Sequence, residues 1–189
     1  IIKPANLGGS IGITVVKTAE EFESAADLAF RYDDKIVVEK ALTNYREINC
    51  ACYKLGGKYV VSPCEEPFTK NDALTFEEKY VTPAEKKFPA DLPESTAVRI
   101  RELTAYLYRK LEFCGIIRVD YLLDGDAVYV NEINSVPGSL AYYLFVNDVG
   151  EFGKLLGGII EEAIENHRLY ESNVFYYDGG VLTGENLKK

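Results

Sequence analysis

The stretch that decides the fold runs from Ile117 to Asn134: Ile117-Arg118-Val119-Asp120-Tyr121-Leu122-Leu123, Asp124-Gly125-Asp126, Ala127-Val128-Tyr129-Val130-Asn131-Glu132-Ile133-Asn134. Both halves are rich in β-branched and aromatic residues, and Asp-Gly-Asp interrupts them, which reads as a hairpin of strands 116–123 and 127–133. A three-residue loop over Asp124–Asp126 pairs Leu123 with Ala127 and sets Arg118 opposite Glu132. Cross-strand partners share a face and successive residues alternate, so Arg118, Asp120, Glu132 and Asn134 fall on one side. Three oxygen-bearing side chains and a guanidinium gathered there are costly unless a charged partner sits among them. A divalent cation bound to phosphate satisfies all four, with the oxygens on the metal and Arg118 on a phosphate oxygen. The same residues would also suit a solvated outer face, and a two-residue loop would split them between faces.

Working outward, Ile1–Lys3 and Ile11–Lys17 read as short strands around the turn Asn6-Leu7-Gly8-Gly9-Ser10. Glycines there let backbone N–H groups approach a phosphate, although any hairpin loop can carry Gly-Gly. Thr18 and Glu21 have capping-box spacing, and Phe22, Ala25, Ala26, Ala29 and Phe30 recur at helical intervals to about Tyr32. Ile36–Glu39 is a short strand, and 46–62 a hairpin turning at Gly56-Gly57. Residues 63–93 carry no clear period, and a loop of that length is usually functional or mobile. A helix over about 94–112 faces Ile100, Leu103, Leu107 and Leu111 inward and ends before Gly115. The cleanest stripe, from Phe152 to Ile164, marks a helix over about 149–167. Val174–Leu182 suggests one more hairpin.

The chain has 189 residues, 47% of them hydrophobic and 27% charged, with a formal net charge of −9. That balance is globular, and the acidity argues against a nucleic-acid partner. No apolar run approaches the roughly 18 residues a membrane helix needs. The four cysteines, at 50, 52, 64 and 114, lack zinc-knuckle spacing and read as free thiols of a cytoplasmic protein. The chain contains no methionine and opens on what reads as the middle of a strand, so it is expected to be a fragment.

In combination, KPANLGGSIG from Lys3, VEKAL from Val38, RE at 46–47, KY at 79–80, RVD at 118–120 and NEINSVPG from Asn131 resemble the D-alanine–D-alanine ligases and their ATP-grasp relatives over about residues 1–165. The resemblance implies an α+β ATP-grasp fold: two lobes with antiparallel sheets and packed helices, and nucleotide between them. Residues 1–44 would belong to the smaller lobe, 45–167 to the larger, and 168–189 to a tail. It implies Mg·ATP as cofactor, with two Mg²⁺ ions that Mn²⁺ can replace. Asp120, Glu132 and Asn134 would ligate them, and Arg118 would steady the transferring phosphoryl group. Lys3 and Lys79 would reach the phosphates, and Ser10 would close over them. Glu39, Lys40 and Leu42 would line the adenine and Glu47 the ribose, while Tyr80, Ser139 and Leu140 would lie at the substrates.

The implied reaction phosphorylates a carboxylate to an acyl phosphate, which an amine then attacks; the substrates would be D-alanine or another amino acid, the product feeding cell-wall peptidoglycan. It needs positioning and charge neutralisation, and no protein nucleophile. A missing amino-terminal domain of the same enzyme would be the partner, the parent can be a homodimer, and the fragment alone would be inactive. The chain departs from the family at Gly9, where a serine is usual, and over Ser139–Tyr143. Other readings that stay open are a different acid–amine pair and a nucleotide-binding module without catalysis.

Overall fold

Among the described residues there are three antiparallel sheets, and the two main ones each have their own helix layer. A computed structural model describes residues 1–67, 86–174 and 176. In the first unit, strand β1 (Ile2–Pro4) pairs with β2 (Ile36–Val38), and helix α1 (Ala19–Phe30) covers them. The buried face of α1 is Ala25, Ala26 and Ala29, whereas Phe22 and Phe30 are exposed. Small side chains bring the helix close to Ile2, Val16 and Ile36, which form the local core.

Two local expectations fail here. Residues 11–17 form no strand; only Thr14 bridges to Ile2, because Ser10 and Gly12 take φ of 61° and 72° and carry the turn past the glycines. Thr18 is the N-cap of α1 but its hydroxyl caps nothing, and the Glu21 carboxylate instead accepts from the Lys17 N–H at 2.8 Å.

The second sheet has the order β4-β3-β7-β8, from β3 (Arg46–Leu55), β4 (Lys58–Val61), β7 (Ile116–Asp124) and β8 (Ala127–Asn134). A short pair, β5 (Glu66–Pro67) with β6 (Lys86–Lys87), flanks residues 68–85. Residues 68–85 of the loop expected over 63–93 therefore lie outside the described residues, Lys79 and Tyr80 among them. One face of the sheet presents Ile48, Cys50, Cys52, Ile117, Val119, Tyr121 and Leu123 to helix α2 (Glu94–Lys110), forming the main core. From α2 come Ile100, Thr104 and Tyr108, at every fourth position. The Thr104 and Tyr121 hydroxyls lie 2.8 Å apart, so the buried polar tips satisfy each other. Leu111 is exposed; Glu112 takes the left-handed position directly after the helix, at φ 54°, and Gly115 is left-handed as well, at φ 76°.

The opposite face is covered at one end by a 3-10 segment (Gly138–Leu144) and by helix α3 (Val149–Glu171), whose N-cap Asp148 accepts from the Glu151 N–H at 2.8 Å. Ala51, Ile116, Ala141, Leu144 and Leu155 form this smaller core. Of the predicted α3 stripe only Leu155 is buried; Ile160 and Ile164 are exposed, because the sheet supports only the first turns of the helix. The helix also runs on to Glu171, four residues past the expected boundary at 167. The proposed hairpin over 174–182 lies outside the described residues except for Val174 and Tyr176.

Candidate functional site

The hairpin of β7 and β8 gathers its polar residues by a different register from the one expected. Asp124 pairs with Ala127, so the loop has two residues, Gly125 and Asp126, with Gly125 at φ 59°. Continued regularly, that register would set Asp120 opposite Asn131 and split the four residues between faces. Instead a bulge between Asp120 and Tyr121 takes up Asn131 as an extra residue. Beyond it Asp120 stands opposite Glu132, and Arg118 opposite Asn134. All four share one face, as expected, but the cross-strand partner of Glu132 is Asp120 and not Arg118.

Strand β3 extends the row. Asn49 pairs with Asp120 on one side and bridges to Glu65 on the other, giving a rung Glu65–Asn49–Asp120–Glu132 across the sheet. Glu47, opposite Leu122, lies on the same face one step along, and Ala51 lies opposite Arg118. Arg118 donates from Nε and Nη2 to Asp120 Oδ1 and Oδ2 at 2.7 and 2.8 Å, and Asn134 Nδ2 donates to Asp120 Oδ2 at 3.0 Å. Asp120 is 2% exposed. Burial pushes its carboxyl up, Arg118 pulls it down, and neighbouring Glu132 pushes it up again. For the guanidinium, burial works against the charge, but the bonds and charge of Asp120 outweigh it and hold Arg118 protonated above its usual range.

Ser139, Leu140 and Ala141 close the end of this face in three successive left-handed conformations, φ 51°, 51° and 47°. Each costs on the order of 1–2 kcal/mol for an L-residue, and such strain persists where surrounding packing over-determines it. Here the anchors are Ala141 and Leu144, both buried against Ala51 and Ile116.

The other site residues lie on the first unit. Lys3, opposite Val37, has its ammonium 2.5 Å from Glu39 Oε2, so two expected nucleotide contacts hold each other. Lys40 is exposed and Leu42 half-buried after β2, and Ser10 sits in the glycine turn. Asn49, Glu65, Lys86 and Tyr143 were not singled out from the sequence, although Asn49 is two residues from Glu47 and so necessarily shares its face. A separate cavity of about 330 Å³, lined by Lys54, Tyr59, Tyr108 and Glu162 among others, shares no residue with the polar face.

Asp120 and Glu132 are hard oxygen donors on facing positions, with a third oxygen available from Asn134, and their mutual repulsion is what a divalent cation would relieve. The donor set fits Mg²⁺. Among the described residues no group of three or more His, Cys, Asp or Glu side chains is placed to hold a metal.

Solved structures similar to this chain are ligases, which gives the class of its fold. The D-alanine–D-alanine ligase from Coxiella burnetii superposes with a TM-score of 0.72 at 28% identity, over 90% of this chain and 46% of that one. The VanG D-Ala:D-Ser ligase from Enterococcus faecalis does so with 0.68 at 28%, over 85% and 48%. The chain belongs to the D-ala D-ala ligase C-terminus family, whose profile matches residues 1–165. A D-alanine–D-alanine ligase from Thermosipho melanesiensis is 37% identical over 188 residues, 96% of this chain and 50% of that protein. The chain thus spans about half the length of the curated relatives it matches. No described helix is long and apolar enough to cross a membrane.

Proposed function

We propose that the chain supplies the nucleotide- and metal-binding part of an ATP-dependent carboxylate–amine ligase that makes D-alanyl-D-alanine. The observation that carries this reading is the convergence of Arg118, Asp120, Glu132 and Asn134 on one face through the Asn131 bulge. A bulge is retained at a cost in ladder hydrogen bonds, and here it is what aligns both carboxylates.

In this reading residues 1–44 and 45–167 are the two lobes, with adenine held by Glu39, Lys40 and Leu42 and ribose by Glu47. Lys3 leaves Glu39 to meet phosphate, exchanging one exposed ion pair for another at little net cost. Asp120, Glu132 and Asn134 hold Mg²⁺, which neutralises phosphate charge when bound. Arg118, locked by Asp120, presents its remaining N–H groups to the transferring phosphoryl oxygens without reorganising. Ser10, in the glycine turn, and Lys79 are the further phosphate contacts of this reading. The left-handed turn at Ser139 and Leu140 meets the second substrate's carboxylate, and Tyr80 is the other residue assigned to the substrates. The remainder of the substrate site comes from an amino-terminal domain outside this chain.

The test is Mg·ATP turnover of the full-length protein with D-alanine, against D-serine, D-lactate and a panel of L-amino acids. Phosphate release that depends on D-alanine and yields the dipeptide supports the proposal. Release with another acid–amine pair replaces the substrate, and nucleotide binding without release under any pair sinks the ligase reading.

A further inference from the structure

Two buried oxygens on the polar face meet no hydrogen-bond donor among the described residues: Asn49 Oδ1 and Glu65 Oε1. Asn49 is 5% and Glu65 2% exposed, and each backbone N–H donates to the other's carbonyl, at 2.8 and 2.9 Å. Their needs differ. Glu65 carries a charge, and the Lys86 ammonium compensates it from 2.9 Å. The same ammonium lies 3.8 Å from the centre of the Tyr143 ring, within cation–π range. A buried carboxylate left without a cation is expensive, so Glu65 keeps Lys86 in that place. Asn49 has no such compensation. Next to it on the rung stands Asp120, whose oxygens already accept from Arg118 and Asn134, and beyond Asp120 stands Glu132. A buried acceptor without a donor costs more than an ordinary hydrogen bond returns, and a leucine would fill similar space without that cost. Asn49 Oδ1, Asp120 and Glu132 thus set acceptors on three adjacent strands, while Arg118 and Lys86 are already engaged. What such a row lacks is a donor or a cation from outside the chain.

We propose that Asn49 is a further residue of the cation site: its Oδ1 accepts a hydrogen bond from a water carried by the divalent ion that Asp120, Glu132 and Asn134 hold. The proposal rests on the reading of those three residues as metal-binding. Mg²⁺ gives up its waters reluctantly and usually keeps several, and each is a strong donor that needs an acceptor. Neighbouring strands lie about 4.8 Å apart, so Asn49 is one strand from Asp120 and two strands from Glu132. That spacing suits a water of the ion better than the ion itself. An amide also suits the place better than a carboxylate, because it accepts without adding charge to a rung that already carries Glu65, Asp120 and Glu132.

The test uses the full-length protein with Asn49→Leu, Asn49→Asp and, as a control on the cation reading, Glu132→Gln. Binding of Mn²⁺, alone and with ADP, is followed by electron paramagnetic resonance of the free ion. Melting temperature is read in EDTA and in saturating Mn²⁺. Asn49→Leu should weaken Mn²⁺ binding about tenfold, as loss of an outer partner of a metal site does. In EDTA it should melt about 2 °C above the wild type, because the orphaned oxygen is gone. Asn49→Asp should do the reverse: the acceptor stays, so Mn²⁺ affinity holds within about threefold or tightens, while the added charge lowers the melting temperature in EDTA. Unchanged Mn²⁺ affinity in Asn49→Leu overturns the proposal. So does a lower melting temperature of that variant in EDTA, which would make the amide a structural donor with its nitrogen in the buried position. If Asn49→Leu is too bulky to fold, Asn49→Val decides by both measurements. Weaker Mn²⁺ binding in Glu132→Gln but not in Asn49→Leu sinks this proposal alone. No Mn²⁺ binding by the wild type, with or without ADP, refutes the cation reading and this proposal with it.

Discussion

Replacing Arg118 by Met removes the guanidinium while keeping a stem that fills much of the same space. Asp120 then loses its bonds of 2.7 and 2.8 Å and keeps only the 3.0 Å bond from Asn134 Nδ2. Both side chains of the broken pair are well buried, Asp120 at 3% and Arg118 at 19% exposure. Each hydrogen bond to a charged group contributes about 1.5–3 kcal/mol, and the desolvation that Arg118 itself suffers disappears with it, so the net loss is about 3 kcal/mol. The sign with pH follows from Asp120. Burial already raises its folded-state value, and losing Arg118 removes the main influence holding it down. A carboxyl raised in the folded state contributes stability that is fully present below its unfolded pKa and lost as pH rises through the folded value. The variant's deficit should therefore be largest near about pH 8 and shrink toward about pH 5. Urea unfolding of both proteins at the two pH values measures it, and adding Glu132→Gln should recover part of the loss by removing a like charge. Equal stability at the higher pH, or a deficit independent of pH, would refute this account of the site.

In the full-length protein, Glu132→Gln should leave nucleotide affinity within about threefold while turnover falls about a hundredfold, since the lost charge matters most as phosphoryl transfer proceeds; equilibrium binding and phosphate release separate the two effects. Gly12→Ala should cost about 2 kcal/mol in thermal unfolding, from strain at positive φ plus a Cβ that would fall 2.8 Å from Tyr32 Cδ2 and 3.0 Å from Pro4 Cγ. With a thiol reagent at about pH 8, native protein should label quickly at Cys114 alone, because Cys50, Cys52 and Cys64 are buried and burial pushes the Cys52 thiol up to about 12. Fast labelling of a second thiol without unfolding would contradict the packing of the main core.

The hairpins over 46–61 and 116–134, the three described helices and the membership of the polar cluster were legible in the chain, because they rest on local rules. Glycine pairs mark turns, alternation marks strands, and the RVD and NEIN segments must meet if 116–134 folds back on itself. The register was not legible. An Asp-Gly-Asp loop admits two or three residues, and only packing decides. With Ile133 against the main core and Asp120 on the opposite face, the strands need one extra residue, and Asn131 is taken up as a bulge. Helix faces failed for the same reason, since a stripe tells which side is apolar and not how far the sheet beneath it extends; Ile160 and Ile164 lie beyond the part that the sheet supports. The outer reach of the site was also decided only in three dimensions. Glu65, Lys86 and Tyr143 are far apart in the chain, and no spacing rule relates them. They meet because β5 pairs with β6 at the edge of β3 while a left-handed turn folds Tyr143 back over the same face, and a buried carboxylate requires a cation wherever the chain can bring one.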